Sequence, residues 1–295
     1  LSRANVGRLA LLALLWGSSF LWIKLALRGF SPVQLVFLRL LLGFAVLAPI
    51  VLLRRLPMPR GLAIWGHLFV AALIANAVPY VLFGIGEQTV DSNVAGVLNA
   101  TTPLWTVVVA YLAGTDRAVT AMRAAGIALG FLGTVLIFSP WETAGEIASP
   151  GGLACLGASA CYGVSYVYMG RFLAGRGIAP LMLSAGQLGA ATVLLALALP
   201  FFGSQAIAWR ADAVVSVAIL GALGTGMAYV LNYRLIADEG ATAASVVTYL
   251  LPVVAIVLGS VFLSEALTVA MVGGTILVLL GVLLTQRGKQ RAHDG

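Results

Sequence analysis

The side chains able to do chemistry in this sequence are few. Most are amides, hydroxyls and aromatic rings set within long apolar runs. At depth in those runs lie Ser18, Ser19 and Lys24; Arg39; Asn76 and Tyr80; Asn99, Thr101 and Thr102; Ser159, Tyr162, Ser165, Tyr166 and Tyr168; Gln187; Tyr229, Asn232 and Tyr233; and Ser245, Thr248 and Tyr249. Polar groups are costly in hydrocarbon, so they face protein or a water-filled space. Asn76 and Tyr80 are four apart, and Tyr229 and Asn232 three apart, so each pair shares one helical face. Such groups either bond helix to helix or line a path. As a lining, the set Trp16, Ser19, Asn76, Tyr80, Asn99, Trp105, Tyr162, Tyr166, Tyr229, Asn232, Thr248 and Tyr249 offers flat rings with polar tips and no net charge. Its amides and hydroxyls suit an ammonium and a carboxylate, while its rings pack an apolar side chain or hold a cation.

Two cations sit within runs. Arg39 lies seven residues past Pro32, about 10 Å into a helix at 1.5 Å per residue. It needs an acceptor there: helix-end carbonyls, Glu87, Asp91 or a substrate carboxylate. Lys24 is nearer a boundary, where its ammonium can snorkel outward. The central part of every run lacks acidic residues, so carboxylate-mediated proton coupling has no candidate. No Walker A, H-E-x-x-H or G-x-S-x-G pattern occurs. His67 and His293, the two histidines, are not placed to serve a buried serine. Cys155 and Cys161 are six apart with no histidine nearby, which suits small packing residues rather than metal ligands. Neither a metal site, a cofactor nor a catalytic residue is expected.

Apolar residues make up 61% of the 295 residues and charged residues 9%, with a mean hydropathy of +1.05. Runs of about 20 apolar residues, enough to cross a bilayer as a helix, recur along the chain. Ten spans are read, near 7–27, 32–53, 62–84, 92–113, 121–139, 151–172, 180–201, 212–235, 241–263 and 268–286. The first runs into the bundle without a convincing signal-peptide cleavage site. The net charge of +7 is distributed by loop. With the N-terminus inside, Arg3, Arg8, Arg54, Arg55, Arg60, Arg117, Arg123, Arg171, Arg176, Arg234, Arg287, Lys289 and Arg291 fall on the cytoplasmic side. Only Arg28 and Arg210 fall outside. This asymmetry sets orientation, with both termini cytoplasmic, and argues for a lipid bilayer rather than nucleic acid as the partner.

The spans repeat. Ala95 to Pro103, AGVLNATTP, matches Ala244 to Pro252, ASVVTYLLP, at an offset of 149. The same offset sets Tyr80 on Tyr229. Trp16-Gly17-Ser18-Ser19-Phe20 matches Tyr162-Gly163-Val164-Ser165-Tyr166 at 146, and Pro32 and Pro180 open the second and seventh spans. Each half has five spans, an odd number, so the halves lie inverted in the bilayer, which points to a path between two bundles. The expected organisation is a first five-helix repeat over 1–140, a periplasmic linker over 141–150 with Glu142 and Glu146, a second repeat over 151–286 and a basic cytoplasmic tail over 287–295. Pro103 and Pro252 are repeat partners inside spans and are candidate hinges. Small residues such as Gly126 and Gly130, or Gly221, Gly224 and Thr225, let backbones approach closely. Spans five and ten, nearly featureless, suit the periphery or the contact face of a weak homodimer, against a monomer.

Trp16-Gly17-Ser18-Ser19-Phe20 with Lys24 resembles the first-span W-G-x-x-F…K signature of EamA-type members of the drug/metabolite transporter superfamily. Phe37-Leu38-Arg39 resembles the second-span arginine motif of that family. Pro103 followed by Asp116, and Pro252 by Glu265, resemble its P…(D/E) pattern. The resemblance covers the whole chain. It implies an all-α membrane fold of ten helices, in two inverted five-helix repeats around a central cavity between spans one, three, four, six, eight and nine. Within the family the general likeness is to bacterial exporters of aromatic amino acids. The small multidrug members carry a first-span membrane glutamate that Leu9 to Leu27 lacks, and sugar-phosphate carriers use more membrane cations than Lys24 and Arg39. The expectation is a bacterial inner-membrane exporter of amino acids and related metabolites, working by alternating access through facilitated diffusion or exchange. A multidrug or cationic-metabolite exporter competes with it, as does, from another class, a membrane enzyme or structural subunit.

Overall fold

The computed structural model describes residues 3–86, 88–90, 92–115, 120–138, 141, 149–262 and 269–293. Glu87, Asp91, Asp116, Glu142, Glu146 and Glu265 lie outside them, as does most of the expected linker, and the side chain of Lys24 is likewise outside the description. The described residues form helices joined by short turns and loops, without strands. Six helices are long and apolar enough to cross a membrane, and four shorter apolar helices complete the ten spans. Large apolar side chains such as Leu73, Val108, Val193, Leu197, Ile276 and Leu283 point outward. An apolar exterior around a bundle of helices, each satisfying its own backbone, is what hydrocarbon requires.

Several starts are legible. Ser31 and Gln34 form a reciprocal capping box at Pro32–Leu53, with proline in its first turn. Ser149 caps Pro150–Phe172 in one direction only, its hydroxyl accepting from the Gly152 N–H at 3.0 Å. Ala228–Glu239 and Ala241–Ser245 are joined by Gly240 alone, at φ +79°, a conformation that only glycine adopts without strain.

The interiors depart from regular helix. The first span divides into Arg3–Gly17 and Ser19–Ala26, where Ser18 and Ser19 turn their hydroxyls back onto the Leu15 carbonyl. The fourth divides into Ser92–Asn99 and Thr102–Leu112, and the ninth into Ala241–Ser245 and Val247–Phe262. Pro103 therefore sits in the first turn after a break and Pro252 well inside a helix that follows one. The third span, Leu62–Ala72 and Val78–Gly86, carries a π-helical turn at Leu73–Ala77. The eighth, Ala211–Gly221 and Ala228–Glu239, carries one at Ala222–Met227. These two turns begin 149 residues apart, the offset of the sequence repeat. The tenth span continues as helix from Val269 to His293, through the region expected to be a tail.

Packing follows the repeat. The first span packs on the ninth and eighth, as the sixth does on the fourth and third. The second packs on the eighth as the seventh does on the third, and the pairs two–seven and five–ten map onto themselves. With five spans per half, this two-fold relation reverses one half in the bilayer. Spans five and ten, Ala121–Phe138 and Val269–His293, pack on each other through backbone. A Cβ on Gly133 would lie 2.7 Å from the Gly274 carbonyl, and one on Gly126 2.7 Å from that of Gly281.

The symmetry fails in one place. Near the end holding the N-terminus, the sixth span also meets the eighth and ninth, with Gly170 beside Ile236 and Ala241, and the start of the ninth meets the fourth. Among the described residues, the mirror contacts of the first span with the third and fourth are not made to that extent. The space left there is a cavity.

Candidate functional site

The cavity is an open cleft with about 1010 Å³ of empty space, a figure that includes the solvent at its mouth. Its wall runs from Leu27 and Pro32, at the end remote from the N-terminus, to Met169, Asn232 and Thr248. Nine of the twelve expected lining residues are on it: Trp16, Ser19, Tyr80, Asn99, Tyr162, Tyr166, Tyr229, Asn232 and Thr248.

The other three lie elsewhere. Asn76 sits in the π-helical turn of the third span, fully buried, where its Oδ1 accepts from Gln187 Nε2 at 2.6 Å. Tyr249 turns toward span five: its hydroxyl donates to the Ile127 carbonyl at 3.0 Å, and its ring fills the room left by Gly130. Trp105 packs against the sixth span, where a Cβ on Gly163 would fall 2.4 Å from its own. In each case a neighbouring helix takes the face that sequence spacing left open.

The second span contributes a wall that the six-span expectation omitted, through Pro32, Leu35, Val36 and Arg39. Arg39 is 8% exposed. Its Nε donates to Thr225 Oγ1 at 2.7 Å, and its guanidinium carbon lies 4.3 Å from the Tyr80 ring centroid, a cation–π arrangement. No carboxylate lines the cavity among the described residues. Of the acceptors considered for Arg39, Glu87 and Asp91 fall outside them, and the hydroxyl of Thr225 was not foreseen.

Aromatic rings form two groups on the wall. Trp16 meets Tyr229 edge-on at 6.3 Å; Tyr162 meets Tyr80 edge-on at 6.4 Å and stacks with Phe83 at 5.9 Å. The π-helical turns hold two of these rings. Trp16 Nε1 donates to the Gly224 carbonyl at 3.1 Å and the Tyr229 hydroxyl to the Ala75 carbonyl at 2.8 Å. Ala75 and Gly224 are repeat partners, each on a turn whose irregular backbone leaves a carbonyl for a side chain, a device common at functional sites. By contrast, the buried atoms Asn99 Oδ1, Asn232 Oδ1 and the Tyr166 hydroxyl have no hydrogen-bond partner. Unmet polar groups on a cavity wall are available to a ligand or to water.

The expected lining omitted Ile23, Leu27, Leu35, Phe83, Gly84, Met169 and Leu251, and Ser165 stood only among the polar groups at depth. Most are apolar and resemble lipid-facing positions. The repeat offset alone marks some of them, since Ser19 and Ser165, like Ile23 and Met169, are partners at 146.

The model of the EamA-like transporter family matches this chain twice, over residues 8–139 and 149–287. An uncharacterized transporter of Archaeoglobus fulgidus is 27% identical over 95% of this chain and 97% of its own length. The uncharacterized transporter YvbV of Bacillus subtilis is 27% identical over 94% and 89%. The uncharacterized inner membrane transporter YedA of Escherichia coli is 27% identical over 89% and 84%. A solved crystal structure superposes with a TM-score of 0.79 over 98% of both chains at 21% identity, a likeness of fold.

Proposed function

Because the chain belongs to the EamA-like transporter family, we propose that it exports amino acids, aromatic and neutral ones foremost, across a bacterial inner membrane by alternating access. It is a membrane transporter of that family. The observation that carries the finer reading is Arg39. A buried guanidinium with no carboxylate beside it among the described residues calls for an anionic group, and a substrate carboxylate supplies one. The rings around it suit an apolar side chain, and the unmet oxygens of Asn99 and Asn232 suit an ammonium. A multidrug or cationic-metabolite exporter would bring a like charge against Arg39, which disfavours it. The likeness to transporters argues against a membrane enzyme.

The breaks that precede Pro103 and Pro252 are the pivots of this reading. The inner-membrane location is carried over from YedA. With both termini cytoplasmic, the cavity opens to the periplasm. Reporter fusions after Gly295 are expected to be active in the cytoplasm and silent in the periplasm; the opposite pattern inverts the topology.

The function is tested by exchange in proteoliposomes. Protein reconstituted with unlabelled phenylalanine or leucine inside should accumulate the labelled amino acid, and simple amines should compete poorly. Amine exchange with no amino-acid exchange sinks the proposal. Exchange should also persist after the proton gradient is collapsed, because no carboxylate among the described residues lines the cavity to couple it. Strict dependence on a pH gradient, at a fixed substrate gradient, would refute uncoupled transport.

A further inference from the structure

We propose that the protein holds a second, latent half of its substrate path, lined by Leu173, Leu183, Ser184, Gln187 and Tyr233. This half opens at the N-terminal end of the bundle when the present cavity closes. The proposal rests on the alternating-access part of the function proposed above and not on the identity of the substrate.

Each of the five is the repeat partner of a residue on the present wall. Leu27 and Leu173 are 146 apart. Leu35 and Leu183, Val36 and Ser184, and Arg39 and Gln187 are 148 apart; Gly84 and Tyr233 are 149 apart. On the open side these positions face the cavity. On the other side none of the five is more than 1% exposed. Three of the five are polar, an unusual stock for a permanently sealed core.

The two sides are built on the same bond, made twice. Arg39 on the second span donates to Thr225 in the π-helical turn of the eighth. Gln187 on the seventh donates to Asn76 in the π-helical turn of the third. Thr225 and Asn76 are themselves partners at 149. On the open side the partner of Tyr233 is Gly84, which has no side chain to extend into the cavity it lines; the group nearest an added Cβ is Pro32, at 3.0 Å. On the closed side Tyr233 stands beside Gln187, where its hydroxyl donates to Gln187 Oε1 and fills the equivalent space. Asn76 Nδ2, also at this seam, is a buried donor without a partner. Tyr233 is thus the plug of the closed side, and the chain Tyr233–Gln187–Asn76 is its latch. When the plug withdraws, the substrate meets an amide and a phenol in place of a guanidinium. A carboxylate held by charge on one side is held there by neutral hydrogen bonds alone.

The test uses full-length protein with Cys155→Ala and Cys161→Ala, carrying either Ser184→Cys or Leu35→Cys, reconstituted and treated with a membrane-impermeant maleimide from each side. Leu35→Cys is expected to label from the cavity side and Ser184→Cys slowly from the opposite one. Adding Tyr233→Phe, or Gln187→Leu as a second way to undo the latch, should speed Ser184→Cys labelling about fivefold, the shift that loss of one ordinary hydrogen bond brings. Leu35→Cys labelling should slow only by the population that leaves the open state, and its persistence reports that the variant is folded. If Leu35→Cys slows while Ser184→Cys stays silent, the path runs elsewhere and the proposal fails, with alternation intact. If both sites speed up together, alternating access itself fails. If neither latch variant moves either site, the latch is overturned.

Discussion

Arg39→Gln is expected to cut amino-acid exchange by about 10- to 100-fold at unchanged abundance, the worth of roughly one charge-assisted hydrogen bond. The glutamine keeps a donor near Thr225 but removes the charge that draws a carboxylate and the cation over the Tyr80 ring. Amines lacking the carboxylate should be carried no worse, and better if Arg39 had been repelling them. Arg39→Lys should fall between, since an ammonium restores charge without the planar fork. The measurement is initial exchange rate in proteoliposomes, normalised to reconstituted protein, for phenylalanine against phenethylamine. Equal loss of both would assign Arg39 to the scaffold through its bond to Thr225; no loss of either would remove it from the substrate's path.

Two adjacent glycines in the tenth span should respond in opposite ways to the same small change. A Cβ on Gly274 would lie 2.6 Å from the Gly133 carbonyl and 2.6 Å from Ile137 Cγ1, with the Ile137 nitrogen at 3.1 Å. Backbone cannot turn aside as a side chain can, so Gly274→Ala must push spans five and ten apart, at about 1–3 kcal/mol or more. A Cβ on Gly273 would find only Leu136 Cδ2, at 3.7 Å, an ordinary contact. Gly273→Ala should be neutral or stabilising by up to about 1 kcal/mol, the helix-propensity difference between the residues. Thermal unfolding in one detergent, with the variants side by side, checks this. Equal stability of the two would mean that the five–ten seam is looser than the glycine contacts require.

The parts of this molecule written in long-range sequence pattern were legible. Span number followed from hydrophobic runs, and the pairing of spans from the match of AGVLNATTP with ASVVTYLLP and the echo of Pro32 in Pro180. The facing of individual side chains was less so. In a soluble helix the polar side marks water, but lipid is as apolar as a protein core, so a span that is apolar all round does not say which face meets a neighbour. Tyr249 and Trp105 therefore read as lining although helices five and six take them, while Leu35 and Ile23, which border the cavity, carry nothing in the sequence that marks them for it. Asn76 was read through a regular four-residue step, yet the π-helical turn at Leu73–Ala77 inserts extra backbone just there. Nothing in LIANA or ALGTGM announces such a turn. Only its recurrence at the repeat offset marks it as a feature of the fold.

The unequal pair Gly84 and Tyr233 bears on when the protein works. Two interchangeable halves would leave an empty carrier indifferent to which face it shows, but here one side is plugged and the other is not. A carrier that rests facing outward presents its inner site for only a fraction of the time, and its apparent affinity there falls by that fraction. For an uncoupled carrier the ratio of maximal rate to half-saturating concentration must stay equal in both directions, so a weak inner affinity comes with a high ceiling rate. On the proposed reading such a protein would leave ordinary internal pools nearly untouched and export from them once they swell, in the manner of an overflow valve whose threshold is set by how firmly one tyrosine holds one glutamine.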